Sequence, residues 1–237
     1  MPMPTVVLVH GAFCDTSAWF GVVAELHRHG IPVVAPPNPL RGLACDAAHI
    51  ASVAAQIDGP VVLVGHAYGG ALITVAGTAE NVVGLVYVAA LIPDEGESLA
   101  DLQGRFPATE LTSNLREWTY PAAGGGRAVE VTIADEAFPA VFAADVSAAV
   151  VEVLASCQRP LALAALDERA TAAAWRTRPS WALVAGADRV IAPDAVHFGA
   201  ARAGATVMEV DGASHAVPLS QPTAVALLIR DAVHAVS

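Results

Sequence analysis

Lysine is absent from the sequence, and all 12 basic residues are arginines. This absence excludes enzymes that form a Schiff base through lysine, pyridoxal phosphate enzymes among them, and the lysine-dependent P-loop. Cysteine is scarce as well. Cys14, Cys45 and Cys157 form no C-x-x-C pair, so the sequence supports neither a disulfide framework nor a zinc knuckle. The compartment expected from this cysteine usage is the reducing cytoplasm.

Charge is also scarce: charged residues make up 15% of the 237-residue chain and hydrophobic residues 55%. Such a chain can bury a sizeable core, and we expect residues 1–237 to form one domain. The longest apolar run, residues 82–93, is well short of the roughly 20 residues that a membrane-spanning helix needs. No basic region precedes an apolar stretch at the start, so no secretory signal is expected. The net charge of −11 argues against a nucleic acid partner.

Short β-branched runs alternate with alanine-rich helical stretches. Strands are predicted at residues 5–10, 32–36, 60–65, 83–91, 180–185 and 206–210. Helices are predicted at residues 15–30, 46–57 and 193–203, with one more beginning near residue 67 and a last one at residue 222. The strands are continuous apolar runs, which is typical of parallel strands buried on both faces. The pattern therefore predicts an α/β protein with an open, doubly wound, mostly parallel sheet.

Residues 93–178 interrupt this alternation. Two short extended pieces, 117–121 and 128–133, lie on either side of three consecutive glycines, and we expect them to form a small hairpin. Helices are expected at residues 138–155 and 160–166. An insertion of this length between two sheet strands predicts a helical lid over the C-terminal edge of the sheet.

The sharpest local signal is Gly65-His66-Ala67-Tyr68-Gly69, which follows an apolar strand and opens a helix. This is the strand–turn–helix context of the G-x-S-x-G nucleophile elbow, in which a tight turn projects the central side chain above the sheet. The central residue here is alanine, which has no nucleophilic atom. Taken alone, the motif also fits an ordinary glycine-rich turn.

Two later residues fall where such an elbow needs its partners. Asp188 follows the fifth predicted strand and His215 follows the sixth. Taken singly, Asp188 also fits a turn or helix-capping residue and His215 a surface residue. The order elbow, aspartate, histidine is nevertheless that of the α/β-hydrolase triad, and ligands bind at the carboxyl ends of strands in open α/β sheets. Asp94, after the fourth strand, is the reserve candidate for the acid.

His10-Gly11-Ala12 follows the first predicted strand. In this fold the N–H after such a His-Gly pair and the N–H after the nucleophile form the oxyanion hole, which assigns the donors to Ala12 and Tyr68. Backbone donors do not depend on side chains, so they should survive alanine at position 67. We interpret His10 as an oxyanion-loop residue. Three further residues are interpreted as structural: His66, Cys14 and Cys45.

At five places the sequence resembles the α/β-hydrolase fold family, most closely the small bacterial esterase-like hydrolases that are similar to plant methylesterases and hydroxynitrile lyases. The matching segments are residues 7–12, 65–70, 88–94, 188–193 and 212–215. The family has serine where Ala67 stands. The resemblance implies ester hydrolysis through an acyl-enzyme, which a chain with alanine at this position cannot form.

Two explanations of Ala67 stay open. In the first, alanine has been put in place of the serine of an esterase or lactonase, so that a ligand is trapped in an otherwise intact site. In the second, alanine is natural. His215, oriented by Asp188, then acts as a general base without a covalent step, in a cyclisation, an elimination or a carbon–carbon cleavage, or the protein only binds a small molecule.

The low charge of the insertion predicts a mainly apolar pocket. Aromatic residues of the insertion are Phe106, Trp118, Tyr120, Phe138, Phe142 and Trp175, at least half of which we expect in the core of the lid. The residues assigned to the substrate pocket are Phe13, Trp118, Tyr120, Phe138 and Phe142. Such a pocket suits a small or medium hydrophobic ester or lactone, and the sequence implies no metal and no organic cofactor.

Overall fold

The structure, a computed structural model, describes residues 2–122 and 124–237. Met1 and Ala123, which the predicted domain range includes, lie outside the described residues. The strands are β1 (Thr5–Val9), β2 (Val33–Val34), β3 (Val61–His66), β4 (Val82–Val88), β5 (Leu115–Pro121), β6 (Arg127–Ile133), β7 (Leu161–Ala162), β8 (Ser180–Ala185) and β9 (Thr206–Val210). The helices are α1 (Phe20–Arg28), α2 (Leu43–Ala55), α3 (Tyr68–Ala76), α4 (Leu99–Gln103), α5 (Phe138–Phe142), α6 (Ala148–Ser156), α7 (Ala164–Asp167), α8 (Pro193–Arg202), α9 (Val217–Ser220) and α10 (Pro222–Ala235).

Six strands form one parallel sheet in the order β2-β1-β3-β4-β8-β9. Successive side chains of each strand point to opposite sides of the sheet. Since the strands are continuous apolar runs, both faces are apolar, and helices cover both of them. In β1, Val6 and Leu8 pack in the core with α1 and α10, while Val7 and Val9 pack in the core with α2, α3 and α8. The predicted doubly wound parallel sheet is therefore confirmed.

Between β4 and β8 the chain builds a second, antiparallel sheet in the order β5-β6-β7. The expected hairpin is present, with longer strands than the sequence indicated. The third strand was not predicted: residues 160–166 were expected to be helical, but Leu161–Ala162 pairs with β6 and only Ala164–Asp167 is helical. The N–H of Ala162 also donates to the carbonyl of Leu40 at 2.9 Å. This pairing overrides the local helix propensity of an alanine-rich stretch.

The helix predicted at residues 138–155 is divided into α5 and α6. Between them, the Asp145 carboxylate accepts a hydrogen bond from the hydroxyl of Ser214, in the loop after β9. A tertiary contact thus interrupts a segment whose composition favours a continuous helix. Of the helices in the described ranges, none is both long and apolar enough to cross a membrane.

Candidate active site

Ala67 lies between β3 and α3 in a conformation that side chains rarely adopt, with φ 51° and ψ −118°. Such a left-handed φ is strained for a residue that carries a Cβ. The turn is tight: a Cβ on Gly65 would lie 2.4 Å from the carbonyl oxygen of Gly69, and one on Gly69 would lie 2.5 Å from that of Val9. Only glycine fits at these two positions. The structure thus has the geometry of a nucleophile elbow with a methyl group at its tip.

His215 and Asp188 form a buried pair in the loops after β9 and β8, with 1% and 7% of their surfaces exposed. Nδ1 of His215 lies 2.7 Å from Oδ2 of Asp188, within hydrogen-bonding distance. Because a carboxylate only accepts, Nδ1 carries the proton and Nε2 is left as the free ring nitrogen. The other carboxylate oxygen accepts the N–H groups of Val190 and Ile191 at 2.8 and 2.9 Å. These bonds fix the carboxylate from the side opposite the histidine.

Asp94, the reserve candidate for the acid, has a different partner. Its carboxylate pairs with the Arg176 guanidinium at 2.7 Å and accepts the N–H of Glu95 at 2.8 Å. Burial raises the pKa of Asp94, but the hydrogen bonds from Arg176 and Glu95 outweigh it and leave the pKa below its ordinary value. The side chain in contact with His215 is therefore that of Asp188.

The two N–H groups assigned to the oxyanion hole, those of Ala12 and Tyr68, donate no hydrogen bond to another described residue. Tyr68 is the first residue of α3, where helical N–H groups lack an intrahelical acceptor. The next donor along the first loop is engaged, since the N–H of Phe13 bonds to the carbonyl of Arg159 at 3.0 Å. Ala12 and Tyr68 line the same cavity as Ala67 and His215. Two free donors thus adjoin the elbow and the histidine.

Two further histidines are buried under the site. His10 donates from Nδ1 to the carbonyl of Gly11 at 2.8 Å and accepts the N–H of Asn38 at Nε2, at 2.9 Å. Nε2–H of His66 donates to the carbonyl of His215 at 2.9 Å. Burial lowers the pKa of both, and the neighbouring His215 adds to the strong effect on His66. Both are neutral and hold loops in place, which leaves His215 as the candidate base.

These neutral histidines predict a loss of stability in acid. Since their pKa values lie below those of the unfolded chain, the unfolded state takes up protons that the folded state does not as the pH falls below about 6.5. The contribution of these two histidines to the free energy of unfolding should be level above that pH and fall below it, by at most about 1.4 kcal/mol per pH unit for each histidine. Urea unfolding between pH 5 and pH 8 measures the slope.

The variants His66→Asn and His27→Gln test the cause of this slope, because His66 is buried and His27 is exposed on α1. Without His66, the free energy of unfolding should fall less steeply as the pH is lowered. Without His27, its pH dependence should be unchanged. If the free energy of unfolding fell equally steeply with decreasing pH in both variants, His66 would not be a cause of the loss of stability in acid.

An inner cavity of about 60 Å³ adjoins Ala67, Tyr68 and His215. The rest of its wall is apolar apart from Gln103, and consists of Ala12, Phe13, Leu91, Leu99, Leu111, Leu115, Val131, Leu161, Leu166, Val190 and Ile191. An outer cavity of about 460 Å³ shares five of these wall residues, so the two are contiguous. Across residues 2–122 and 124–237, no group of three or more histidine, cysteine and acidic side chains is arranged to hold a metal ion.

Of the residues assigned to the substrate pocket, Phe13 lines the inner cavity. The assignment of Trp118 and Tyr120 needs correction, since neither lies in its wall. Trp118 is 50% exposed and donates its indole N–H to Thr132, and the Tyr120 ring packs against the Arg41 guanidinium at 4.3 Å. Side chains alternate along a strand, so these even-numbered residues of β5 lie on the face opposite Leu115, which does line the cavity.

The assignment of Phe138 and Phe142 to the pocket wall is corrected as well. Both are fully buried in α5 and stack on each other with their ring centres 4.9 Å apart. The ring of Phe142 also lies against His215, edge to face, at 5.1 Å. Both residues are part of the core of the insertion, and Phe142 packs against the histidine.

With this geometry established, the class of protein follows from comparison. Residues 6–226 match the family model described as the alpha/beta hydrolase family, and the chain belongs to that family. No curated protein matches the sequence.

Several solved structures share the fold over nearly the whole chain. Polyneuridine aldehyde esterase superposes with a TM-score of 0.83 at 21% identity, covering 97% of this chain and 98% of that one. Methylketone synthase I of tomato, complexed with 2-tridecanone, has a TM-score of 0.82 at 16% identity and covers 100% of both chains. A methylesterase from Arabidopsis has a TM-score of 0.78 at 15% identity, covering 98% and 99%. The chain is therefore an α/β hydrolase whose structural neighbours include esterases.

Proposed function

We propose that this α/β hydrolase has an esterase-type site for a small to medium apolar ester or lactone, and that alanine at position 67 deprives the site of its nucleophile. The observation that carries this proposal is the arrangement around one methyl group. Ala67 occupies a strained elbow, His215 is held by Asp188 with its second ring nitrogen free, and unpaired N–H groups line the same cavity. Base, acid and oxyanion donors are in place, and the attacking atom is missing.

The two cavities divide the proposed ligand between them. The inner cavity of about 60 Å³ is much the smaller of the two and takes the smaller part of the ligand, next to Ala67. The outer cavity of about 460 Å³ takes the larger apolar part. The reacting carbonyl then lies in the inner cavity, whose wall contains Ala12, Ala67, Tyr68 and His215.

Residues 93–178 act as the lid in this proposal. Residues from α4, β5, β6, β7 and α7 provide six of the inner-cavity wall residues: Leu99, Gln103, Leu115, Val131, Leu161 and Leu166. Covering the carbonyl with aliphatic side chains excludes water and strengthens its interaction with the N–H donors. The partner is a small molecule, and the free thiols of Cys14, Cys45 and Cys157 agree with a reducing cytoplasm as its compartment.

A second candidate function is favoured by Ala67 itself and by the likeness to methylketone synthase I. Without a nucleophile, the site suits decarboxylation of a β-keto acid. The bond to the carboxylate carbon breaks, CO₂ leaves, and the electron pair forms an enolate whose oxygen is stabilised by the N–H groups of Ala12 and Tyr68. Nε2 of His215, after taking a proton from water, gives it to the α-carbon, which yields a methyl ketone, and the hydroxide left by that water combines with the released CO₂ as bicarbonate.

A single panel separates the candidates. Aryl esters, lactones and a β-keto acid are offered to the protein with Ala67 and to the Ala67→Ser variant, with turnover and binding both measured. The esterase proposal expects ester turnover with serine and binding without turnover with alanine. A serine-directed organophosphonate should give a one-to-one mass adduct with Ala67→Ser and none with alanine. Release of CO₂ from the β-keto acid by the protein with alanine supports the second candidate, and binding without turnover by both proteins favours a receptor.

Gln103 is expected to select among ligands where the two cavities meet. It lines both cavities, and its amide forms no hydrogen bond within the described part of the chain. We expect Gln103→Leu to weaken binding of methyl 3-oxohexanoate, which carries a second carbonyl, by about 3- to 10-fold, the effect of one lost hydrogen bond. Binding of methyl hexanoate should stay the same or tighten. Calorimetric titration of the protein with Ala67 gives both dissociation constants.

Thr112→Val is the matched control, since Thr112 borders the outer cavity only. It should leave the preference between the two esters unchanged. Equal weakening of both esters by Gln103→Leu would show that Gln103 shapes the cavity without recognising a polar group.

A further inference from the structure

A buried carboxylate outside the triad contacts Tyr68, the residue whose N–H is one of the two oxyanion donors. Asp46 lies in the first turn of α2 and is fully buried. Its Oδ2 accepts the N–H of Arg41 at 3.0 Å, the N–H of Gly42 at 3.3 Å and the hydroxyl of Tyr68 at 3.0 Å. Its oxygens therefore accept from two backbone N–H groups, one phenol and the thiol of Cys45.

The Tyr68 hydroxyl is a donor in this contact. Burial, and then the nearby charge of Asp46, raise the pKa of Tyr68 far above its ordinary value, so the phenol keeps its proton. A hydrogen bond to a charged acceptor is stronger than one between neutral groups. It ties the side chain of the residue whose N–H is one oxyanion donor to the start of α2.

The other oxyanion loop is tied to the same stretch of chain. Asn38 is fully buried, and its backbone N–H donates to Nε2 of His10 at 2.9 Å while its amide Nδ2 donates to the carbonyl of His10 at 3.1 Å. Its Oδ1 accepts the N–H of Leu40 at 3.2 Å. His10 begins the loop that carries Ala12, so Asn38 fixes the first oxyanion arm as Asp46 fixes the second.

We propose that residues 38–46, here called the brace, set the spacing between the two oxyanion donors, with Asn38 and Asp46 as its positioning residues. Ala12 and Tyr68 follow different strands, β1 and β3, and the brace bonds to the loop after each. Oxyanion stabilisation requires donors held at the place where charge develops in the transition state. The brace holds the two donors in position through its contacts with His10 and Tyr68. The inference rests on the proposed function, because the oxyanion hole is part of it.

Tyr68→Phe tests the brace because it removes only the hydroxyl that binds Asp46. In the Ala67→Ser protein we expect kcat for an aryl ester to fall about tenfold while KM changes less than twofold. Tyr87→Phe is the matched control: its hydroxyl is equally buried and bonds to Thr74 at 3.1 Å, away from both loops. It should leave kcat within twofold. Asp46→Asn keeps one acceptor oxygen and should lose less activity than Asp46→Ala.

A second measurement does not depend on esterase activity. In the protein with Ala67, ¹⁵N relaxation should show the amide of residue 68 with an order parameter near about 0.85, typical of rigid backbone, and below about 0.7 after Tyr68→Phe. Asn38→Ala should lower the order parameter of the Ala12 amide in the same way. The amide of Leu183, in the middle of β8, should not change in either variant.

Failure of the proposed function and failure of the brace proposal give different results. If Ala67→Ser hydrolyses no ester, the proposed function fails and the order parameters alone decide the brace. The brace proposal is wrong if amide 68 in Tyr68→Phe and amide 12 in Asn38→Ala stay as rigid as the amide of Leu183. It is also wrong if kcat of Tyr68→Phe is as high as kcat of Tyr87→Phe.

Discussion

Replacing Ala67 with serine is expected to produce an esterase, with hydrolysis of a short-chain aryl ester raised at least about 10³-fold. Loss of the nucleophile from a working triad costs on the order of 10⁶ in kcat, so regaining it should give a large part of that factor even with a poor substrate. The backbone at residue 67 already has the strained elbow conformation, with φ 51°. A serine there requires no rearrangement to project its hydroxyl into the cavity that His215 lines.

The expected reaction uses each group already in place. The serine hydroxyl attacks the ester carbonyl while Nε2 of His215 takes its proton, and the Asp188 carboxylate stabilises the imidazolium that forms. The carbonyl oxygen becomes an oxyanion that accepts the N–H groups of Ala12 and Tyr68, each typically worth roughly 3 kcal/mol. The imidazolium then protonates the departing aryl oxide. In the second half of the reaction Nε2 of His215 takes a proton from water, the hydroxide attacks the acyl-enzyme, and the proton passes to the serine oxygen as the acid leaves.

Two control variants test whether the gain comes from the triad. Adding His215→Ala to Ala67→Ser should remove nearly all of it, because the triad acts as a unit. Ala71→Ser adds a hydroxyl one turn further along α3, at a fully buried position outside the cavity wall, and should give no activity. A folded Ala67→Ser protein that is inert towards a broad ester and lactone panel would replace the esterase proposal with the non-covalent or binding function.

The parallel sheet could be predicted from the sequence because its strands are buried on both faces and are therefore continuous apolar runs. β8 has the bounds that the apolar run indicates, Ser180–Ala185. The same reasoning fails in the insertion, where two residues, Leu161–Ala162, form a strand only because β6 lies beside them. A helix-favouring stretch gives no local sign of such a partner.

The elbow, Asp188 and His215 could be found from the sequence because each follows the end of a strand, and parallel strands bring their carboxyl ends to one edge. Asn38 and Asp46 could not be found in this way. Their contacts with His10 and Tyr68 join residues 28 and 22 positions apart, with no pattern that links them. The one available signal was the position of Asp46 just inside a predicted helix, which on its own indicates no more than a favourable first-turn charge.

In the Ala67→Ser protein, Asp188→Asn is expected to lower kcat by about 10³- to 10⁴-fold. The structure dictates how the asparagine must lie. Two backbone N–H groups, those of Val190 and Ile191, bond to Oδ1 of Asp188, and such donors can bond only to the oxygen of an amide. The amide nitrogen is therefore turned towards Nδ1 of His215 and donates to it. The histidine proton moves to Nε2, which can no longer accept the serine proton.

Asp94→Asn is the matched control for this prediction, since Asp94 pairs with Arg176 and not with His215. It should leave kcat within about twofold of the Ala67→Ser protein, because the partly exposed Asp94–Arg176 pair makes no contact with His215. ¹⁵N chemical shifts of the His215 ring give a direct readout: the proton should be on Nδ1 in the parent and on Nε2 after Asp188→Asn. A large loss with Asp94→Asn and none with Asp188→Asn would transfer the role of the acid to Asp94. An unchanged tautomer together with a large loss would show that Asp188 acts through its charge on the imidazolium alone.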